Sequence, residues 1–351
     1  MNTSMTLNSQ RNFGLDLLRA IAVLFVVFSH YFASTPLRVG GVIGVEMFFV
    51  LSGYLIGSIL YRFTLLSDIG VYDLYTFWVR RWVRTLPNYL FFLLIFTALA
   101  YPWYELDVWE WLKYLFFLQN LAEPLEGFYG LSWSLSIEEW FYLSFAFVAF
   151  WGIRLFGPRG FLVSILIFLI VPIAGRAIYC RGWEVEQVRG VVLWRLDSIV
   201  YGVLMAYVSQ GALGLLGRWK KSFMALGVIL ASVAVSWFYS SDSTILRNVW
   251  VFPLMSIGVA LMLPGFVCLP SFGGVFEQCV RYISRVSYSV YLLHMPLFFI
   301  LDPLLEPLYL NSIIKLLVRL AMVGLALALS NVTYVLVEKR FMRLRAGFNE
   351  R

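Results

Sequence analysis

"RAIAVLFVVFSH", Arg19 to His30, sets an arginine and a histidine at the ends of ten residues that are nearly all apolar. The stretch reads as part of a membrane-spanning helix, and the composition of the chain supports that reading. Of 351 residues, 61% are hydrophobic and 13% charged, with a mean hydropathy of +0.81. Soluble domains carry roughly half apolar and about a quarter charged residues. A span needs roughly 20 apolar residues. Ten such stretches lie near 15–35, 42–62, 88–104, 133–152, 160–179, 189–209, 222–240, 248–264, 283–301 and 314–337. The run from Leu112 to Leu121 is too short to span and reads as interfacial or re-entrant. The expected fold class is all-α, a polytopic integral membrane protein of about ten transmembrane helices.

Lys and Arg in short loops mark the cytoplasmic side. With the N-terminus inside, that side collects Arg11, Arg62, Arg80, Arg81, Arg84, Arg154, Arg159, Arg218, Lys220, Lys221, Arg281 and Arg285. It also takes Lys339, Arg340, Arg343, Arg345 and Arg351, making 17 of the 27 basic residues. Both termini are then cytoplasmic, and the net charge of +7 needs no nucleic acid to explain it. The first span carries Asp16 and Arg19 and leads straight into further spans, so it reads as a retained helix, not a cleaved signal. Cys180, Cys268 and Cys279 have no paired spacing, and two histidines cannot complete a usual zinc site. No metal is expected. A single transmembrane domain is expected over residues 1–351, with its core at 12–345 and no appended soluble domain. The segment from Trp103 to Leu131 is rich in aromatics and suits a lid at the interface.

Eleven residues at about 100° each bring His30 to within roughly 20° of Arg19 on one helix face, about 16 Å apart along the axis. Asp16, one turn before Arg19, is spaced to pair with it. Ionisable groups at such depth face a bundle interior, a cavity or a partner. Other spans add to the set. "GVEMFFVLSGYLIG" carries Glu46 and, deeper, Ser52-Gly53. "WSLSIEEWFY" begins at Trp133-Ser134 and places Glu138 and Glu139 near its outer part, "RLDSIVYG" adds Arg195 and Asp197, and "SYSVYLLHMP" adds His294. Counted from the outer ends, these fall at a similar depth, which points to a buried polar site. Structural pairing of Asp16 with Arg19, and of Arg195 with Asp197, is the plainer alternative. On the cytoplasmic side, "FWVRRWVRTLP" sets Arg80, Arg81 and Arg84 among Trp78 and Trp82 on what reads as a short surface helix. Arginine forks suit phosphate, whether of a ligand or of lipid headgroups.

The Arg-x10-His spacing, "FFVLSGYLI", "RRWVRTLP", "WSLSIEEWFY", "RLDSIVYG" and "SYSVYLLHMP", in that order, resemble the motifs of the membrane acyltransferase-3 family. The resemblance runs from Gly14 to about Phe341 and includes the closing "VEKRF". Members of that family O-acylate surface polysaccharides, lipid-linked glycans and some antibiotics. The resemblance implies a cytoplasmic acyl-CoA donor, usually acetyl-CoA, as co-substrate, with no permanently bound cofactor. It implies a glycan or lipid-linked saccharide acceptor on the outer side of a bacterial inner membrane. It also makes His30 the essential histidine with Arg19 as motif partner, and puts Arg80, Arg81 and Arg84 on the donor side. Many relatives carry an outer hydrolase-like domain after the last span. None follows here before Arg351, so a mechanism needing one in cis is not expected. On this picture a neutral imidazole at His30 acts as base on an acceptor hydroxyl. Glu46 or Glu138 would orient it, and Asp16 would support Arg19. The arginines or the amides around Ser52 and Gly53 would hold the donor and the oxyanion. Trp133, Ser134, Glu139, Arg195, Asp197 and His294 would form the substrate-side or structural polar site. A proton-coupled carrier would also bury His, Glu and Arg, but would be expected to show repeated halves with matching broken helices.

Overall fold

The structure, a computed structural model, describes residues 11–32, 35–66, 68–100, 107–125, 127 and 129–344. The chain forms α1 (Phe13–Phe32), α2 (Thr35–Tyr61), α3 (Val71–Ala100), the short α4 (Val108–Leu115), α5 (Ser132–Phe156) and α6 (Pro158–Tyr179). There follow α7 (Val185–Gly190), α8 (Leu196–Arg218), α9 (Lys220–Ser240), α10 (Val251–Val267), α11 (Gly274–Leu305), α12 (Ser312–Thr333) and α13 (Lys339–Leu344). There is no strand among the described residues. Nine helical segments among them are long and apolar enough to cross a membrane. The expected span not among these nine, the sixth at 189–209, corresponds to α8, whose backbone leaves helical geometry at Ala212. Many apolar side chains stay exposed on the outer faces of α5, α6, α9 and α12, as lipid-facing surfaces require.

Close helix crossings build the interior, and small residues permit them. A side chain at Gly53 of α2 would run into the carbonyl of Ile199 in α8, and one at Gly202 would meet the carbonyl of Val50. Gly227 and Gly258 do the same for α9 and α10. Gly157 joins α5 to α6 with φ 62°, a backbone state that favours glycine, and Pro158 then opens α6. The first helix lies between α2 and α11 and also touches α10, so its polar face is enclosed by protein.

Two expectations are corrected. The arginine stretch is not on a separate surface helix. It belongs to α3, which runs unbroken through Pro87, and Trp78 fixes it by donating from Nε1 to the Tyr142 carbonyl at 3.1 Å. The sixth span does not begin at 189. After α7 the backbone unwinds, and the amides of Val192 and Leu193 bond the carbonyls of Asn120 and Leu121 at 2.9 and 3.1 Å. Non-helical backbone at depth is tolerated where protein satisfies it, and here the segment after α4 does so. That segment folds inward: Asn120 is buried, and the Phe117 carbonyl accepts from Trp140 Nε1 at 2.9 Å. The stretch expected to be interfacial or re-entrant is thus a short helix followed by a buried turn. Residues 103–106, 126 and 128 of the expected lid, and Arg345 and Arg351 of the basic set, lie outside the described residues.

Candidate active site

A narrow cleft of about 90 Å³ opens between α1, α2, α3, α5 and α11. Arg19 enters it from α1, Arg81 and Arg84 from α3, and Ser52 from α2. On α3 these two arginines are i, i+3 neighbours, so they share a face with Thr85. Arg80 is turned about 100° from Arg81 and is not among the lining residues. Glu138 is the carboxylate in the lining. Its two oxygens accept from Ser52 Oγ at 3.2 Å and Tyr142 Oη at 2.8 Å, and the two hydroxyls lie 3.0 Å apart. Three guanidinium groups against one carboxylate leave the cleft cationic, a chemistry that receives phosphate. Elsewhere between α3 and α11, Asn88 Nδ2 donates to Ser289 Oγ at 3.0 Å, and Ser289 donates to Glu338 at 3.1 Å. A π-helical turn at Tyr334–Glu338 brings that glutamate inward.

Phe49, Ser134 and Tyr291 also line the cleft, with Ser134 and Tyr291 hydroxyls 2.5 Å apart. Beyond Tyr291 stand both histidines of the chain: the Tyr291 and His294 ring centroids are 5.9 Å apart. His30 Nδ1 lies 3.1 Å from His294 Nε2, and His294 Nδ1 lies 3.1 Å from the Val290 carbonyl. A carbonyl only accepts, so His294 carries its proton on Nδ1 and offers the Nε2 lone pair. His30 must then donate from Nδ1, which leaves its Nε2 unprotonated. The Val290 carbonyl thus orients the relay, and the His30 ring has a backbone partner of its own at Val26. Tyr31 Oη holds the same helix by donating to the His294 carbonyl at 2.9 Å.

The remaining charges are tied elsewhere. Asp16 accepts from Ser284 Oγ at 2.6 Å, Arg11 at 3.1 Å and Arg281 at 3.3 Å, with Arg19 further off at 3.8 Å. The expected Asp16–Arg19 pair is the loosest of these contacts, and Asp16 chiefly clamps α1 to α11. Glu46 binds Arg195 and accepts from Ser256 Oγ at 2.8 Å. Asp197 is bidentate to Arg176, at 2.6 and 2.9 Å. So Arg195 and Asp197 do not pair with each other, and each takes a partner from a neighbouring helix. Glu139 is buried, with one oxygen lacking a hydrogen-bond partner.

These contacts revise several expected positions. Neither Glu46 nor Glu138 is the partner of His30; His294 is. Glu138 is instead held by Ser52 and Tyr142 in the lining of the arginine cleft. Gly53 lies inside a continuous helix, where its amide is committed to the helical ladder, and its α-carbon faces the Ile199 carbonyl. It packs α2 on α8 instead of lining the cleft. Sequence reasoning missed Arg176, Tyr142, Glu338 and the Asn88–Ser289 link. Arg176 carried a signal as a charge inside the apolar "IVPIAGRAIY", while Tyr142, Ser289 and Glu338 lay inside quoted motifs without being singled out.

The family model described as an acyltransferase domain matches residues 12–335. The chain is 29% identical over 317 residues to the O-acetyltransferase OatA of Staphylococcus aureus (strain NCTC 8325 / PS 47), covering 81% of this chain and 50% of that protein. It is 29% identical over 339 residues to the putative peptidoglycan O-acetyltransferase YrhL of Bacillus subtilis (strain 168), covering 87% of this chain and 52% of the relative. The chain thus spans about half the length of these curated relatives. No solved structure matches it significantly. With the match extending from the first turn of α1 to the π-helical turn before α13, the chain belongs to the acyltransferase-3 family.

Proposed function

We propose that this protein is an integral-membrane O-acyltransferase. It takes an acyl group, most simply acetyl, from acyl-CoA on the arginine side and delivers it to a saccharide hydroxyl on the opposite side of a bacterial inner membrane. The observation that carries the reading is a cationic cleft ending at a pair of histidines whose hydrogen bonds leave one imidazole nitrogen free to take a proton. The names of the relatives, both O-acetyltransferases and one of peptidoglycan, support the reaction class and a glycan acceptor.

In this mechanism Arg19, Arg81 and Arg84 hold the donor's phosphates, and its flexible arm carries the thioester toward His30. The separation of Arg19 and His30, about 16 Å along one helix, suits a long arm. His30 Nε2 takes the proton of the acceptor hydroxyl as that oxygen attacks the thioester carbonyl. The C–O bond forms, the C–S bond breaks, and the proton passes from the imidazolium to the departing thiolate. His294 is a positioning residue, acting through His30.

The test is the purified protein in liposomes with acetyl-labelled acetyl-CoA. Release of CoA with ester formation is expected, and His30→Ala should lower the rate by about 10²–10⁴-fold without weakening donor binding. Movement of a polar solute across the vesicle without CoA release would make the protein a carrier and overturn the reading.

A further inference from the structure

A second cavity, of about 320 Å³, lies between the start of α5 and α7. Its size is at the lower end of small-ligand sites, roughly 300–1,000 Å³. We propose that it is a subsite for one uncharged saccharide unit of the acceptor, a proposal that rests on the acyl-transfer reading above.

The walls are Trp133, Arg189, Glu186 and Gln187. The Arg189 guanidinium sits 4.9 Å from the Trp133 ring centroid and 3.1 Å from Glu186 Oε2. Stacking and ion pairing hold it in one pose. The two opposite charges balance, so the site does not favour an anion. Instead it offers a guanidinium, a carboxylate and the Gln187 amide N–H groups, the Gln187 oxygen being taken by the Glu184 amide at 2.9 Å. This set of donors and acceptors matches vicinal hydroxyls and acetamide groups.

The cavity is braced from behind. Asn120 Nδ2 donates both to the Trp133 carbonyl, at 3.0 Å, and to the Gly190 carbonyl, at 2.6 Å. Arg195 Nη1 donates to the Arg189 carbonyl at 3.2 Å. A buried amide and a buried guanidinium thus fix both walls before any ligand arrives, which lowers the ordering cost of binding. The site also adjoins the reacting centre. Trp133 packs edge-on to Phe49, with centroids 6.0 Å apart, and Phe49 closes the arginine cleft from the other side. Arg189 lies near enough to interact electrostatically with His30 and Tyr291.

Gly130 and Gly190 supply the means of testing it. Both line the cavity, and a β-carbon on either would meet no atom within 4 Å. Neither has a positive φ. The β-carbon of a larger side chain therefore has room at either position, and the rest of that side chain competes with a ligand for the cavity. The experiment uses the full chain in nanodiscs, with chitotetraose as the probe and calorimetry as the readout. Wild-type protein should bind it, and Gly190→Leu and Gly130→Leu should each weaken binding by about tenfold or more, equivalent to about 1.4 kcal/mol. Melting temperature and acetyl-CoA binding should stay unchanged. Unaltered chitotetraose affinity in both variants overturns the proposal. So does a wild type that ignores chitotetraose but binds inorganic phosphate or anionic headgroups in a manner sensitive to Gly190→Leu. Saccharide binding is read without turnover, so failure of this subsite and failure of acyl transfer give different results.

Discussion

Replacing His294 separates the relay from the base it serves. His294→Ala removes an acceptor for His30 Nδ1–H, now 3.1 Å away, and with it one of the contacts that set the reactive tautomer. A neutral hydrogen bond contributes about 0.5–1.5 kcal/mol, and a buried donor left unpaired costs about 1–3 kcal/mol. At 1.36 kcal/mol per tenfold, kcat should fall about 10–100-fold. The loss should stay below the roughly 10⁴-fold known for the carboxylate of a Ser-His-Asp triad, because His294 brings no negative charge to an imidazolium. His294→Gln restores an acceptor oxygen near the lost nitrogen and should be milder than alanine. The assay is steady-state turnover of acetyl-CoA in proteoliposomes, with melting temperature as control because His294 is fully buried. The KM for the donor should not move, since His294 does not line the arginine cleft. Combined with His30→Ala, the alanine change should add nothing, as groups acting through one another are not additive. Wild-type kcat in His294→Ala, or a further tenfold loss on top of His30→Ala, would refute the relay.

Other consequences follow from the same geometry. Arg81→Ala and Arg84→Ala should raise the KM for acyl-CoA more than the KM for acceptor, with only partial rescue by lysine, and Arg80→Ala should have the smaller effect; equal effects at all three would indicate lipid anchoring. Gly53→Ala should destabilise the protein by about 1–3 kcal/mol through overpacking against Ile199, read as a lower melting temperature in detergent with donor affinity intact in the folded fraction. Glu46→Gln leaves Arg195 buried without its anion and should cost about 3–5 kcal/mol, while Glu46→Leu with Arg195→Met should recover much of that; thermal unfolding of the three forms decides it. In a background without Cys180, Cys268 and Cys279, a cysteine replacing exposed Asp68 should label only from the cytoplasmic side, and labelling from outside in intact cells would invert the topology.

The polytopic fold was legible from composition, because no soluble core needs apolar residues at this density. Segment ends were less so. The arginines at 80, 81 and 84 read as a short surface helix of their own, yet Trp78 and Phe77 supply enough packing to carry α3 straight through them. The break before Arg195 was hidden, since the amides of Val192 and Leu193 find partners that lie 72 residues back in the chain, at Asn120 and Leu121. Among site residues, the pairing of Arg19 and His30 on one face followed from helical periodicity alone. Their partners did not: which of Glu46, Glu138 or His294 reaches His30 depends on where α5 begins and how α2 crosses α8. Those are set by a buried turn and by Gly53 and Gly202. Tyr142 and Glu338 carried no periodic signal, because one polar side chain in an apolar helix reads the same whether it serves a site or a neighbouring hydroxyl.

The most direct test of the account is mass analysis of surface glycans from cells that make the wild-type protein or His30→Ala at equal membrane levels. The account predicts base-labile acetyl esters on the glycan with the wild type and their loss with His30→Ala. Esters present in equal amount in both strains would contradict it.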